Sequence, residues 1–189
     1  MHVLALSGSL RSGSHSSELL RRAAASASGD VELVLYEGLK EIPPYDADDD
    51  LPGAQPAPVQ RLKAALAEAD AVLVATPEYN HSIPGVLKNA LDWVSRPILE
   101  SPVRNKPAAV ISSSTGMFGG VWAAAETRKV LGALGARVLE ETVTVPKAHE
   151  RLAEGADDDA LVDRLRPVLA ALAHEVGLRA VPELEAATA

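Results

Sequence analysis

Short, almost wholly apolar runs recur along the chain, each followed by a break rich in glycine, serine or proline and then by a helical pattern. They cover residues 3–6, 31–35, 71–75 and 108–113, with a fifth, alternating run at 137–145. Apolar runs this short read as strands covered on both faces, and the helical stretches between them supply the cover. A helix between successive strands, roughly every 30 residues, is the signature of right-handed crossovers in a parallel sheet. The chain therefore predicts an α/β sandwich of three layers. The alternation of Val138, Thr142, Val143 and Val145 with polar neighbours puts the fifth strand toward a sheet edge.

Composition narrows what such a sandwich can do. With 189 residues the chain fits a single domain, taken as 1–180 with 181–189 as a flexible tail, and with aromatics at 3% its core must be built from Leu, Val and Ala. A formal charge of −8 disfavours nucleic acid and anionic membrane surfaces as partners. The absence of cysteine removes disulfides, thiolate catalysis and thiolate metal sites, so any redox chemistry needs a bound cofactor. His2, His15, His81, His149 and His174 lack metal-ligand spacing, and no metal is expected. The N-terminal residues lack a basic leader and no apolar run reaches membrane-spanning length, which predicts a cytoplasmic protein.

Three loops at the carboxyl ends of strands carry the chemistry. After the first strand, Ser7-Gly8-Ser9-Leu10-Arg11-Ser12-Gly13-Ser14-His15-Ser16-Ser17 leads into a helix, so backbone N–H groups and the helix dipole converge on one point. The next glycine after Gly8 is Gly13, which breaks the dinucleotide fingerprint, and Ser14 stands where a Walker A loop needs lysine. Hydroxyls at Ser9, Ser12, Ser14, Ser16 and Ser17 with the cation Arg11 suffice for a terminal phosphomonoester. A serine-rich helix cap without a ligand is the other reading.

After the third strand, Pro77-Glu78-Tyr79-Asn80-His81-Ser82-Ile83 holds an aromatic ring, an amide and a hydroxyl. Proline restricts its motion, and the loop suits a flat, polar heterocycle. After the fourth, Ser114-Thr115-Gly116-Met117-Phe118-Gly119-Gly120 is either a tight structural turn or a ligand loop.

Residues 77–93, Pro-Glu-Tyr-Asn followed by Ser-x-Pro-Gly-x-Leu-Lys-Asn-Ala-Leu-Asp-Trp, resemble the NADPH-dependent FMN reductases of flavodoxin-like fold, a family with quinone, azo-dye and chromate reductases. Gly8 to Ser17 is similar to that family's phosphate loop, with Ser16 where asparagine is usual. Ser114, Gly116, Gly119 and Gly120 match its glycine turn. The resemblance spans roughly residues 3–134 and implies a flavodoxin-like sheet ordered 2-1-3-4-5.

It further implies FMN held by Ser9, Arg11, Ser14, Ser16, Ser17, Pro77, Glu78, Tyr79, Asn80, Ser82, Ser114, Thr115, Gly116 and Gly119. Asn80 and the backbone at Gly116 would donate to the ring edge, and no side chain is required as a catalyst. NADPH or NADH would serve as co-substrate, giving a ping-pong, two-electron oxidoreductase that passes hydride equivalents to an acceptor such as FMN, a quinone, an azo compound or chromate. Arg11, Lys88, Arg96 and Arg104 are candidate partners for a 2′-phosphate.

A flavodoxin-like FMN electron carrier without nicotinamide turnover is the competing reading. The three loops offer only Tyr79 and Phe118 as ring covers, which leaves a face open and favours the enzyme. The apolar helix at 85–95, with Trp93, is expected either in the core or in a homodimer or homotetramer contact. His81 reads as a solvent-facing loop residue that could also protonate product. Two further expectations are a bend or break near 163–166 caused by Pro167 and a poorly ordered end after Gly177.

Overall fold

A computed structural model describes residues 1–180 apart from 28, 30, 52, 154, 155 and 157; the expected tail at 181–189 lies outside the described residues. Strands β1 (His2–Ser7), β2 (Glu32–Tyr36), β3 (Ala71–Thr76), β4 (Pro107–Ser113) and β5 (Arg137–Val145) pair in parallel, in the order β2-β1-β3-β4-β5. Helices α1 (His15–Ser26), α2 (Ala57–Glu68), α3 (Gly85–Val94), α4 (Val121–Ala133), the single turn α5 (Ala148–Arg151) and α6 (Asp159–Ala180) connect and cover them. This is the flavodoxin-like order that the family resemblance implies.

Alternate residues of each strand feed opposite layers. Leu4, Leu6, Val72, Val74, Ala108 and Val110 pack with α2, α3 and α4, whereas Val3, Ala5, Leu73, Ala75, Ala109 and Ile111 pack with α1 and α6. β3 and β4 are buried along their whole length, which is why their sequences show no polar alternation. Each fully buried Val or Leu contributes about 1.5–3 kcal/mol of transfer free energy. β5 occupies an edge. Its register slips against β4 between Ala108 and Val110, and Thr142 Oγ1 there donates to Val110 O at 2.6 Å.

The helix of the family motif spends its apolar stripe inside its own chain. Leu87, Ala90, Leu91, Trp93 and Val94 of α3 are all buried. Trp93 donates its indole N–H to Pro43 O at 2.9 Å and meets Tyr45 edge-on at 4.8 Å, so it is a core residue here. Asn89 adds two bonds, accepting from Tyr45 N and donating to Pro43 O, both at 2.8 Å. The long connection after β2 is thereby fastened to α3.

Buried Lys106 donates its ammonium group to Ala67 O and Ala69 O, a cation at the carboxyl end of α2.

Two expectations are corrected. Of the bend or break expected at Pro167 the break is absent: α6 runs through Pro167, which lies on the exposed side of the helix. Nor does order stop at Gly177, since α6 continues to Ala180, tied to β5 by Arg137, which pairs with Glu175 at 3.1 Å. Among the described residues no helix is long and apolar enough to cross a membrane.

Candidate functional site

In this strand order the connection leaving β1 runs to β2 on one side and the connection leaving β3 runs to β4 on the other, so the loops after β1, β3 and β4 flank one crevice. They enclose a cavity of about 440 Å³ lined by Ser9, Arg11, Ser14, His15, Ser16, Pro77, Glu78, Tyr79, Ser113, Ser114 and Thr115. The first two loops touch directly. Gly8 N–H donates to Ala75 O at 2.8 Å, and a Cβ on Gly8 would stand 3.0 Å from Pro77 Cδ.

The first loop ends on Ser14, whose hydroxyl caps α1 by accepting from Ser17 N at 3.4 Å. Ser16 lies within the first turn, buried, with its hydroxyl 3.5 Å from Ser113 Oγ. Ser17 donates its hydroxyl to Ser7 Oγ at 2.9 Å and faces an adjoining hollow of about 300 Å³ that it shares with Ser7, Ser9 and Arg11. Of the four cations considered for a 2′-phosphate, Arg11 alone lines the main cavity. Lys88 pairs with Asp92 at 2.6 Å, Arg96 lies over the Tyr45 ring, and Arg104 packs against Gly135.

The second loop is a tight hairpin. Tyr79 and Ser82 exchange backbone hydrogen bonds at 3.2 and 3.1 Å, and Asn80 and His81 between them have φ of 52° and 59°. Positive φ at both central residues is the type I′ geometry, which asparagine tolerates and histidine resists. Two carboxylates join the hairpin to α4. Glu78 Oε2 accepts from Trp122 N at 3.1 Å and Ala123 N at 3.2 Å; Glu126 Oε2 accepts from Ser82 Oγ and from Ile83 N at 3.3 Å. The Ser82 and Ile83 bonds, with a smaller contribution from Lys129, hold the Glu126 carboxyl below its ordinary range.

The third loop is largely a structural turn at its glycine end. A Cβ on Gly119 would lie 2.8 Å from Pro146 N and 2.9 Å from Val145 N, so the missing side chain makes room for the end of β5. Gly116 N–H, anticipated as a ring-edge donor, is bound to Ser114 Oγ at 3.0 Å.

Asn80, Ser82, Gly116 and Gly119 do not line the cavity, whereas the other anticipated residues line it or the adjoining hollow. Sequence reasoning missed His15, Ser113, Trp122 and Glu126. His15 lines the cavity, with its imidazole pKa lowered first by burial and then by Arg11 and His149. Trp122 stacks edge-on with His81 at 4.9 Å and Phe118 at 5.1 Å, adding an aromatic ring to the rim that the loops alone did not show. Of these, His15 and Trp122 had a signal, since each sits in the first turn of a helix that follows one of the three loops.

Size alone does not identify the site. A groove of about 910 Å³ lies apart from it, between α2 and the segment after α3. Lys63 there is committed to Gln55 Oε1 at 2.9 Å and Arg96 O at 2.6 Å.

A helix N-terminus dressed with hydroxyls, facing a polar hairpin across the switch point of a five-stranded parallel sheet, defines a flavodoxin-like mononucleotide-binding protein. The sequence model of the family described as NADPH-dependent FMN reductase matches residues 1–150, and the chain belongs to that family. It is similar to a quinone reductase of Escherichia coli, 38% identical over 75% of this chain and 74% of that protein. An NAD(P)H-dependent FMN reductase of Pseudomonas aeruginosa is 45% identical over 68% of each chain. Among solved structures, the flavoenzyme NAD(P)H:(acceptor) oxidoreductase FerB of Paracoccus denitrificans superposes with a TM-score of 0.82 at 32% identity, covering 94% of this chain and 97% of that one.

Proposed function

We propose that the chain is an NAD(P)H-dependent, FMN-containing reductase that passes two electrons to a small-molecule acceptor such as free FMN, a quinone, an azo compound or chromate. The observation that carries this reading is the meeting of the three loops on one cavity of about 440 Å³, within the roughly 300–1,000 Å³ usual for ligand sites.

The donor set fits a phosphomonoester. The first-turn N–H groups of His15 and Ser16 have no acceptor within α1, the hydroxyls of Ser9, Ser14 and Ser16 line the same cavity, and Arg11 makes no hydrogen bond or ion pair through its guanidinium among the described residues. Glu78 also lines this cavity, but its carboxylate is committed to the N-terminus of α4. That commitment lowers its repulsion of an anionic ligand.

FMN, when bound, supplies the ring that takes and returns the hydride. The chain's work is placement: Ser9, Arg11, Ser14, Ser16 and Ser17 toward the phosphate, the hairpin 77–82 and the turn 114–119 toward the ring. Gly116 N–H can reach a ring only by leaving Ser114 Oγ, so the exposed Asn80 amide is the freer donor. Tyr79, His81, Phe118 and Trp122 stand half-exposed or exposed along the rim, leaving an approach for nucleotide and acceptor in turn, which is the basis for ping-pong kinetics.

A cytoplasmic homodimer or homotetramer belongs to the same reading. Because the stripe of α3 is used inside the chain, a two-fold contact would draw on apolar side chains that stay exposed, among them Ile98 and Leu99 just after α3 and Met117, Phe118 and Val121 near the rim.

The test is anaerobic. The protein is loaded with FMN and titrated separately with NADPH and NADH while the visible flavin band is followed. Rapid bleaching by at least one nucleotide, with turnover on addition of a quinone, is the expected result. Slow bleaching by both would move the assignment to an electron carrier, and failure to bind FMN would sink it.

A further inference from the structure

The hairpin that faces the cavity is closed by its own Tyr79–Ser82 backbone bonds, but its tip is strained. It contains two residues with positive φ that are not glycine, and its tip is exposed. Local strain of this kind persists only where surrounding structure enforces it. The enforcing contacts come from α4, and they cross. Glu78 reaches from the hairpin to the first N–H groups of α4, while Glu126, one turn further along α4, reaches back to Ser82 Oγ and Ile83 N on the far side of the turn. The two carboxylates thus grip both legs of the hairpin.

We propose that Glu126 is a positioning residue for the ring-binding hairpin, holding Ser82 and Ile83 so that Tyr79 and Asn80 stand at the cavity in the conformation that receives FMN. The inference rests on the FMN-reductase reading for its functional consequence, although the brace itself does not depend on it. Glu126 touches neither the cavity nor any group that would react; it acts through Ser82.

The brace also fixes the chemistry available at Ser82. An ionised carboxylate can only accept, so the Ser82 hydroxyl must direct its proton to Glu126. What the hydroxyl keeps is a lone pair, and Glu126, by taking the proton, decides that polarity. The lowered pKa of Glu126, caused first by the Ser82 bond and then by the Ile83 bond, agrees with this.

Glu126 is exposed, so its replacement leaves the core untouched. The experiment compares wild type, Glu126→Gln, Ser82→Ala, the double variant and Glu140→Gln as a distant control on β5. The first readout is amide hydrogen exchange at Ser82 and Ile83 in the FMN-free protein, and the second is FMN affinity from the quenching of flavin fluorescence.

E126Q and S82A are each expected to speed exchange at these amides and weaken FMN by about fivefold, the size of one exposed charge-assisted hydrogen bond. The double variant should be no worse than the weaker single one, because both remove the same contact. E140Q should match wild type. Unchanged exchange in E126Q, or full additivity in the double variant, overturns the proposal. Faster exchange in a protein that binds no FMN would overturn the functional part and the reductase reading, while leaving the brace established.

Discussion

The carboxylate of Glu78 accepts the backbone N–H of Trp122, 44 positions later, at 3.1 Å, so a residue of the hairpin after β3 caps α4. The residue at the N-cap position of α4 is Gly120, with φ of 85° and no side chain to offer. Glu78 supplies the missing acceptor and adds negative charge at the positive end of the helix. Glu78→Ala is expected to destabilise the protein by about 1 kcal/mol, the usual cost of a lost cap, and Glu78→Gln by roughly half of that. Urea denaturation measures both. Equal stability of the alanine variant and wild type would show that water caps α4 as well as Glu78 does.

Two glycines of one loop should respond in opposite ways. Gly119 has φ of 65° and no room for a Cβ, since Pro146 N would lie at 2.8 Å. Gly116 has a single neighbour within reach, Ser114 Oγ at 3.4 Å. Gly119→Ala should cost about 2–4 kcal/mol from backbone strain and displaced β5, and Gly116→Ala less than about 0.5 kcal/mol. Thermal unfolding of the two variants side by side checks the difference.

His15 makes stability fall in mild acid. Its folded-state pKa is lowered from 6.5 by burial and by the nearby Arg11 and His149, so the folded chain binds fewer protons than the unfolded chain as pH drops. By linkage the penalty is absent above the unfolded pKa, grows as pH falls below 6.5, and is complete once the folded pKa has been passed. His15→Gln should flatten that part of the stability profile. Resolved in NMR, the imidazole should titrate below 6.5 in the free protein, and inorganic phosphate in the cavity should move it upward.

The strands and their order were legible because burial on both faces removes polar alternation, and β3 and β4 carry that signature without interruption. The three loops that meet at one cavity were legible because a strand, a small-residue break and a helix recur together. What could not be read was the direction of individual side chains. Glu78 stands in the motif between Pro77 and Tyr79, yet its carboxylate turns to α4. Glu126 lies mid-helix, and nothing local in the sequence indicates that it reaches Ser82. Pro167 was read as a helix breaker because its missing N–H is local information, whereas the exposure that makes it tolerable is set by how α6 lies on the sheet.

Trp93 separates a core role from an interface role. Its ring is buried within the chain and its N–H is spent on Pro43 O. Trp93→Phe removes that bond and part of the ring volume, which should cost about 2–3 kcal/mol in all. The loss should be the same at low and high protein concentration, because a core defect acts within one chain. A loss that vanishes on dilution would place Trp93 in an intermolecular contact instead.

Arg11 distinguishes a phosphate site from a serine-rich cap that binds nothing. The guanidinium is exposed, lines the cavity and makes no hydrogen bond or ion pair among the described residues, so Arg11→Ala should leave stability within about 0.5 kcal/mol of wild type. Its effect should appear only with a ligand that carries a phosphate. FMN and riboflavin share the ring and the ribityl chain and differ at that group, so their two affinities isolate it. Wild type should prefer FMN, and Arg11→Ala should weaken FMN by roughly tenfold while leaving riboflavin unchanged. Added salt should act on the same difference, lowering the FMN affinity of wild type more than that of the variant, since the cation is exposed to screening. Equal losses for both ligands would mean that Arg11 contacts the ring or shapes the loop. No loss for either would return the loop to the role of a helix cap.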